Sequence, residues 1–264
     1  MKTFGVDENG IIITEVSIDK ITPPFKIIVD KVLHAILADP ASQLDSVYLY
    51  GSIATGKAVK GKSDLDIIVV FKEKANDELL KKISSLEAKL TKEYELIFRD
   101  VGLATTHVDD ALSEKERLGG LCFLKHLSVC IYGDDITKNV SGFKPTKAVA
   151  KGFNGDIAKS LKSLKEKIKN AISGQEVKKV SQLLAKKIIR TAFSLVMPRA
   201  ASWTTNLQTS VETFLQYYPE KTKEMNTVLG WSKIGTDDKE EILKFINTFG
   251  LWLTQKFKEE ILVA

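Results

Sequence analysis

A small mixed-sheet α+β domain followed by an all-helical bundle is the architecture this sequence predicts. Three observations carry it. In the first half, short apolar runs rich in Val, Ile, Tyr and Phe are separated by amphipathic segments of helical spacing. A polar stretch from Gly133 to Pro145 then breaks the pattern. Beyond it nearly every apolar residue recurs at helical spacing. The expected division is residues 1–140 and 141–264.

Taken in order, Phe4 to Val16 alternates around Asp7-Glu8-Asn9-Gly10 and predicts a hairpin. Phe25 to Leu37 has helical periodicity, ended by Asp39-Pro40. Val47 to Tyr50 and Ile67 to Phe71 read as strands. Glu78 to Leu90 reads as an amphipathic helix, and Leu96 to Thr105 as a further strand. Ser113 to His126 has a loose capping pattern and helical spacing, and Val129 to Tyr132 is a last short strand. The helical half comprises Ala148–Ser173, Glu176–Val196, Leu207–Tyr217, Thr222–Leu229 and Asp237–Val263, punctuated by Pro198 and Pro219.

Composition narrows the class. A chain of 264 residues with 44% hydrophobic and 28% charged side chains is that of a soluble globular protein. No apolar run approaches the length of a membrane span. Asp7 and Glu8 interrupt the start before any signal-peptide core forms. Two cysteines, Cys122 and Cys130, are too few for a disulfide framework or a Cys-rich metal site, so a reducing, cytoplasmic setting is expected. The net charge of +5 is concentrated in lysines after Lys144. Lys159, Lys162, Lys165 and Lys169 alternate with Ile157, Leu161, Leu164 and Ile168, the pattern of a solvated helix face, with an anion-facing surface for triphosphate or an acidic partner as the alternative.

Chemistry concentrates in one stretch. Tyr48-Leu49-Tyr50 leads into Gly51-Ser52, and Ser63-Asp64-Leu65-Asp66 opens the apolar run Ile67-Ile68-Val69-Val70. Residues two apart in a strand share a face, so Asp64 and Asp66 present their carboxylates together. Two such charges need a cation between them. A hard divalent ion, Mg²⁺ or Mn²⁺, takes oxygen ligands and leaves positions open for phosphate. The Gly-Ser turn offers main-chain N–H groups beside it. Together these suggest metal-assisted nucleotidyl or phosphoryl transfer. Gly51 to Ala58 nearly fits a P-loop, but Ala58 lacks the hydroxyl for Mg²⁺ and no helix of several turns follows.

From Tyr48 to Leu103 the chain resembles the nucleotidyltransferase superfamily of DNA polymerase β, in which Gly-Ser is followed by Asp-x-Asp on one strand and a third carboxylate on a later one. The resemblance implies Asp100 as that third acid, with Asp64 and Asp66 as the metal pair. Glu95, and more remotely Asp109 or Asp110, are the alternatives. Leu124 to Ile136, with Tyr132-Gly133-Asp134-Asp135, is similar to a segment of small two-domain bacterial members such as the aminoglycoside nucleotidyltransferases. That likeness implies transfer of a nucleoside monophosphate from ATP or another nucleoside triphosphate to a hydroxyl acceptor, a small molecule ahead of a protein or RNA, with pyrophosphate leaving. It also implies a basic residue of the helical domain at the triphosphate. Lys187 and Arg190, three apart on one helix, are the candidates.

Other polar residues carry less. Lys57, Lys60 and Lys62 read as solvated loop lysines, and His107 and His126 as structural histidines. Trp203, Trp231 and Trp252 read as core or domain-interface aromatics, Trp203 being also a candidate for a loop near the acceptor. The competing function is a nucleotide-binding protein of the same fold with little or no turnover, an antitoxin or a regulator.

Overall fold

The computed structural model describes residues 3–38, 43–114 and 116–263. The chain divides into two compact units. One is Thr14–Gly142, and the other joins Met1–Ile13 to Phe143–Ala264.

The first unit is built on four strands: β1 (Leu44–Tyr50), β2 (Leu65–Phe71), β3 (Val101–His107) and β4 (Ser128–Gly133). Their order in the sheet is β3-β2-β1-β4. β1 runs antiparallel to both β2 and β4, whereas β2 and β3 are parallel. A parallel pair needs a long crossover. Helix α3 (Asp77–Glu93) provides it, and α1 (Phe25–Ala38) precedes the sheet. The Asn76 side chain caps α3 by accepting the Leu79 N–H at 2.9 Å, and Asp77 and Glu78 favour the positive end of the helix dipole.

Alternation divides the sheet into two faces. Leu65, Ile67 and Val69 of β2 join Val47 and Leu49 of β1 and Val101 and Leu103 of β3. They pack with Val32 and Ile36 of α1 and Leu79, Ile83 and Leu90 of α3 in the main core. The other face carries Tyr48 and Val70 under Ala111 and Leu124, with Ile68 partly buried beside them. This smaller cluster covers the later part of β2, which leaves Asp66, near the strand's start, on the less covered stretch of that face.

The strand expected from Leu96 begins only at Val101. Leu96 is 81% exposed and lies in a turn, while Phe98 is buried in the core and Ile97 packs against it partly buried. The helix expected over Ser113–His126 is broken. A single turn, α4 (Val108–Ala111), is followed by a π turn at Arg117–Leu121 and by α5 (Cys122–Leu127). Lys115, and the expected stop at Asp39-Pro40, lie outside the described residues. The expected hairpin at Phe4–Val16 reduces to one bridge between Val6 and Ile12. Asp7 closes the turn there by accepting the N–H groups of Asn9 and Ile11.

In the second unit α6 (Lys147–Asn154), α7 (Ile157–Asn170), α9 (Leu207–Leu215), α10 (Thr222–Ile234) and α12 (Leu251–Phe257) pack against the long α8 (Gly174–Ala200). Helix α11 (Lys239–Phe245) joins α12 through a π turn, so the last expected helix is segmented. Pro198 does not end α8: it sits inside the last turn, and the helix closes at Ala201 with left-handed backbone. The chain start packs against this end of α8. Phe4 N–H donates to Ser202 Oγ at 3.2 Å, and Trp203 N–H to the Phe4 carbonyl at 3.0 Å. Trp203 is 9% exposed, with its ring 5.4 Å from that of Phe153, which accounts for it as a packing residue. Among the described residues no helix is long and apolar enough to cross a membrane.

Candidate active site

β1 ends at Tyr50, and the chain turns at once through Gly51 into the single helical turn α2 (Gly51–Ala54). Gly51 has φ +77°, a backbone region that favours glycine. Space demands glycine as well, because a Cβ at this position would lie 2.7 Å from Asp66 Oδ2. Register explains the approach, since Tyr50 pairs with Asp66 across the sheet. The Asp66 carboxylate therefore lies against the start of the Gly-Ser turn. Gly51→Ala is expected to cost about 1–2 kcal/mol of stability from its backbone conformation alone and to displace Asp66. A melting curve and nucleotide titration check both effects; an unchanged melting temperature would mean the turn has no such constraint.

Asp64 stands just before β2 and meets Arg99. The Arg99 Nε–H donates to Asp64 Oδ1 at 2.9 Å and Nη2–H donates to Oδ2, a two-point contact. The hydrogen bond with Asp64 raises the guanidinium pKa; burial opposes it, and the fields of Asp64, Asp100 and Asp66 add to it. The chain itself thus supplies a cation to Asp64. Tyr50 senses both acids: burial first, then the charges of Asp66 and Asp64, push its phenol up to about 12.

Asp100 takes a different course. It is exposed, immediately before β3, and its Oδ1 accepts the Thr91 hydroxyl at 3.1 Å and the Val101 N–H at 3.0 Å. Thr91 belongs to α3, which lies along the outer edge of β3; Glu87 of the same helix accepts the Leu103 N–H at 2.7 Å. The carboxylate of Asp100 is drawn to that edge. Glu95 lies in the exposed turn after α3, and Asp109 and Asp110 lie in α4, beyond the far end of β3. Among the described residues no group of three or more His, Cys, Asp or Glu is placed to hold a metal ion.

Register identifies what stands beside Asp66 on β3. Its partner is Gly102, and Ala104 and Thr106 continue the same face. None is an acid. A Cβ on Gly102 would find only Asp66 Oδ1 within 4 Å, at 3.7 Å, so the position has room for a side chain.

The loop after α2 differs from a P-loop. Lys57 N–H returns to the Ser52 carbonyl at 2.8 Å, and turns lead to β2 with no helix between. Lys57 pairs with Glu15 at 3.6 Å, both well exposed. His126 is buried, lies 3.3 Å from Thr14 Oγ1, and has its pKa pushed down to about 4 by burial and then by Lys125, as a structural histidine would.

Lys187 and Arg190 lie on α8 in the helical unit. Lys187 Nζ donates to Asp156 Oδ1 at 2.7 Å, and Arg190 is exposed. Burial pushes Asp156 up, but hydrogen bonds from Lys187 and Ser160 outweigh it and hold the carboxyl below its ordinary range. Asp135, of the Tyr132-Gly133-Asp134-Asp135 segment, is engaged by the Tyr48 hydroxyl at 3.0 Å and the Thr137 hydroxyl at 2.8 Å.

The structure thus sets Asp66 against Gly51, holds Asp64 two residues earlier in a pair with Arg99, and bonds Asp100 to Thr91 of α3. Arg99 escaped sequence reasoning altogether. A signal existed in its place directly before the acid chosen as third, but a contact across 35 positions leaves no periodicity.

Residues 31–118 match the family model of the nucleotidyltransferase domain. Comparison with curated proteins gives no match. Among solved structures, the spectinomycin adenyltransferase AAD(9) from Enterococcus faecialis, determined with ATP and spectinomycin, is similar at 17% identity and a TM-score of 0.52. The alignment covers 88% of this chain and 97% of that one. The fold is that of a nucleotidyltransferase domain followed by helices, as the resemblance implied.

Proposed function

We propose that the protein transfers a nucleoside monophosphate, AMP from ATP by preference, to a hydroxyl acceptor with release of pyrophosphate. The observation that carries this reading is the placement of Asp66 against the Gly51-Ser52 turn, with Asp64 at the same end of β2. Two carboxylates beside main-chain amides form a hard oxygen site that fits one Mg²⁺ or Mn²⁺ ion. When bound, the ion would neutralise phosphate charge and make the α-phosphorus more electrophilic. Asp64 and Asp66 would hold it, and Gly51-Ser52 would receive phosphate oxygens on N–H groups that the first residues of a helical turn leave without an intrahelical partner.

For the basic residue that the resemblance implies at the triphosphate, Lys187 and Arg190 are the candidates, Lys187 being already paired with Asp156. Arg190→Ala is expected to weaken triphosphate binding about ten- to a hundredfold, the equivalent of one charge-assisted contact of roughly 1.5–3 kcal/mol. Monophosphate binding should change far less. Equal loss for both nucleotides, or no loss for either, would show that this helix does not face the phosphates.

A small-molecule acceptor is supported by the similar adenyltransferase, whose structure holds ATP and spectinomycin. Because Asp135 is already engaged internally, a neutral or weakly charged acceptor fits this chain better than a polycation. Two free cysteines, one buried, accord with a cytoplasmic setting.

A specific observation favours a second reading. With Gly102 beside Asp66, the face of β3 offers no third carboxylate to orient or deprotonate the acceptor. A nucleotide-binding regulator or antitoxin with weak turnover would accommodate that. The test is to incubate the protein, Mg²⁺ and α-labelled ATP with pools of small hydroxyl compounds, proteins and RNA. Covalent label in any pool supports transfer. Nucleotide binding with no label in any of them overturns it in favour of the second reading.

A further inference from the structure

We propose that Arg99 is the resident counter-ion of Asp64, which a divalent cation must displace and which then turns to the incoming phosphates. The inference rests on the metal and triphosphate site argued above and adds a residue and an order of events to it. Both oxygens of Asp64 are engaged by the guanidinium, through Nε and Nη2. A planar guanidinium matches a carboxylate at two points, which an ammonium cannot do. A divalent ion ligated by Asp64 would sit against that cation, so the fork has to open.

The main chain keeps the displaced side chain near. Arg99 N–H donates to the Ser63 carbonyl at 3.0 Å, and Leu65 N–H to the Asp100 carbonyl at 3.0 Å, so these two hydrogen bonds flank the Asp64–Arg99 pair. The Arg99 side chain is 46% exposed and that of Asp64 26%, which leaves the guanidinium room to swing. Asp100, next to Arg99 in the chain, is already bonded to the Thr91 hydroxyl and the Val101 N–H. A triphosphate would offer the released guanidinium several anionic oxygens in the fork geometry it prefers. The metal alone therefore binds against a competitor, whereas metal and triphosphate together give that competitor a new partner.

The test uses the full chain and Mn²⁺ as probe, titrated by calorimetry or electron paramagnetic resonance with no turnover required. Arg99→Ala should bind Mn²⁺ alone about tenfold more tightly than the wild type, and should bind a non-hydrolysable triphosphate analogue with Mg²⁺ about tenfold more weakly. Arg99→Lys, which keeps charge without the fork, should fall between for Mn²⁺. Arg99→Gln carries the same expectation as the alanine variant should that one fold poorly. In the wild type, the ¹⁵N resonance of Arg99 Nε should shift when Mg²⁺ and the analogue are added together. Mn²⁺ affinity unchanged or weaker in the alanine and glutamine variants would overturn the proposal, as would an unmoved Nε resonance. Asp64→Asn with Asp66→Asn separates the two levels. Mn²⁺ binding retained there refutes the site itself; binding lost there but unaltered by Arg99 substitution refutes the counter-ion alone.

Discussion

Asp64→Asn combined with Asp66→Asn is expected to abolish metal-dependent triphosphate binding while leaving the fold in place. Each carboxylate supplies a charge-assisted contact of roughly 1.5–3 kcal/mol, so removing both should weaken binding by about a hundredfold or more. Neither side chain belongs to the two apolar clusters of this unit, which are formed by the alternating residues Leu65, Ile67 and Val69 and, on the other face, by Tyr48 and Val70. The partly exposed Asp64–Arg99 pair should itself contribute no more than about 1 kcal/mol to stability. Calorimetric titration with Mg²⁺ and a triphosphate analogue measures the loss, and a melting curve controls for folding. Retained affinity in a folded double variant would move the site elsewhere.

The second large effect is a gain. Gly102→Glu should raise the transfer rate by about a hundredfold, the lower end of what a positioned general base contributes. Gly102 pairs with Asp66, and the position of its missing Cβ meets nothing closer than Asp66 Oδ1 at 3.7 Å. The new carboxylate would stand beside the metal pair on the face where β3 carries only Gly102, Ala104 and Thr106. Without a divalent ion it would repel Asp66, so the variant should also depend on Mg²⁺ more steeply than the wild type. Gly102→Ala fills the same space without charge and should leave the rate near its starting value. An equal rise in both variants would assign the gain to packing, and a rise in neither would show that a third acid is not what limits the reaction.

Much of this site could be read from residue order because its main elements are local. The two-residue period of β2 places Asp66 opposite the core face occupied by Leu65 and Ile67, and Gly51-Ser52 follows β1 directly. What failed depended on distant partners. Leu96-Ile97-Phe98 has the apolar character of a strand but forms a turn, since the ladder with β2 begins at Leu65 and Val101. That early start placed Asp100 within a strand, whereas it stands before one and is drawn aside by Thr91. Arg99 could be assigned to Asp64 only once the Arg99–Ser63 and Asp100–Leu65 backbone bonds had brought the two segments side by side. The attachment of Phe4 to Ser202 and Trp203 joins residues about two hundred apart and has no local signature at all.

Transfer at the Asp64–Asp66 site requires pyrophosphate and labelled acceptor to appear in equal amounts. With Mg²⁺, α-labelled ATP and an acceptor found by the labelling screen, pyrophosphate released and label incorporated are measured together in the wild type and in the Asp64→Asn, Asp66→Asn double variant. One pyrophosphate for each labelled acceptor is expected in the wild type, and neither product in the double variant. Incorporation without pyrophosphate, or equal products from both proteins, would contradict transfer at this site.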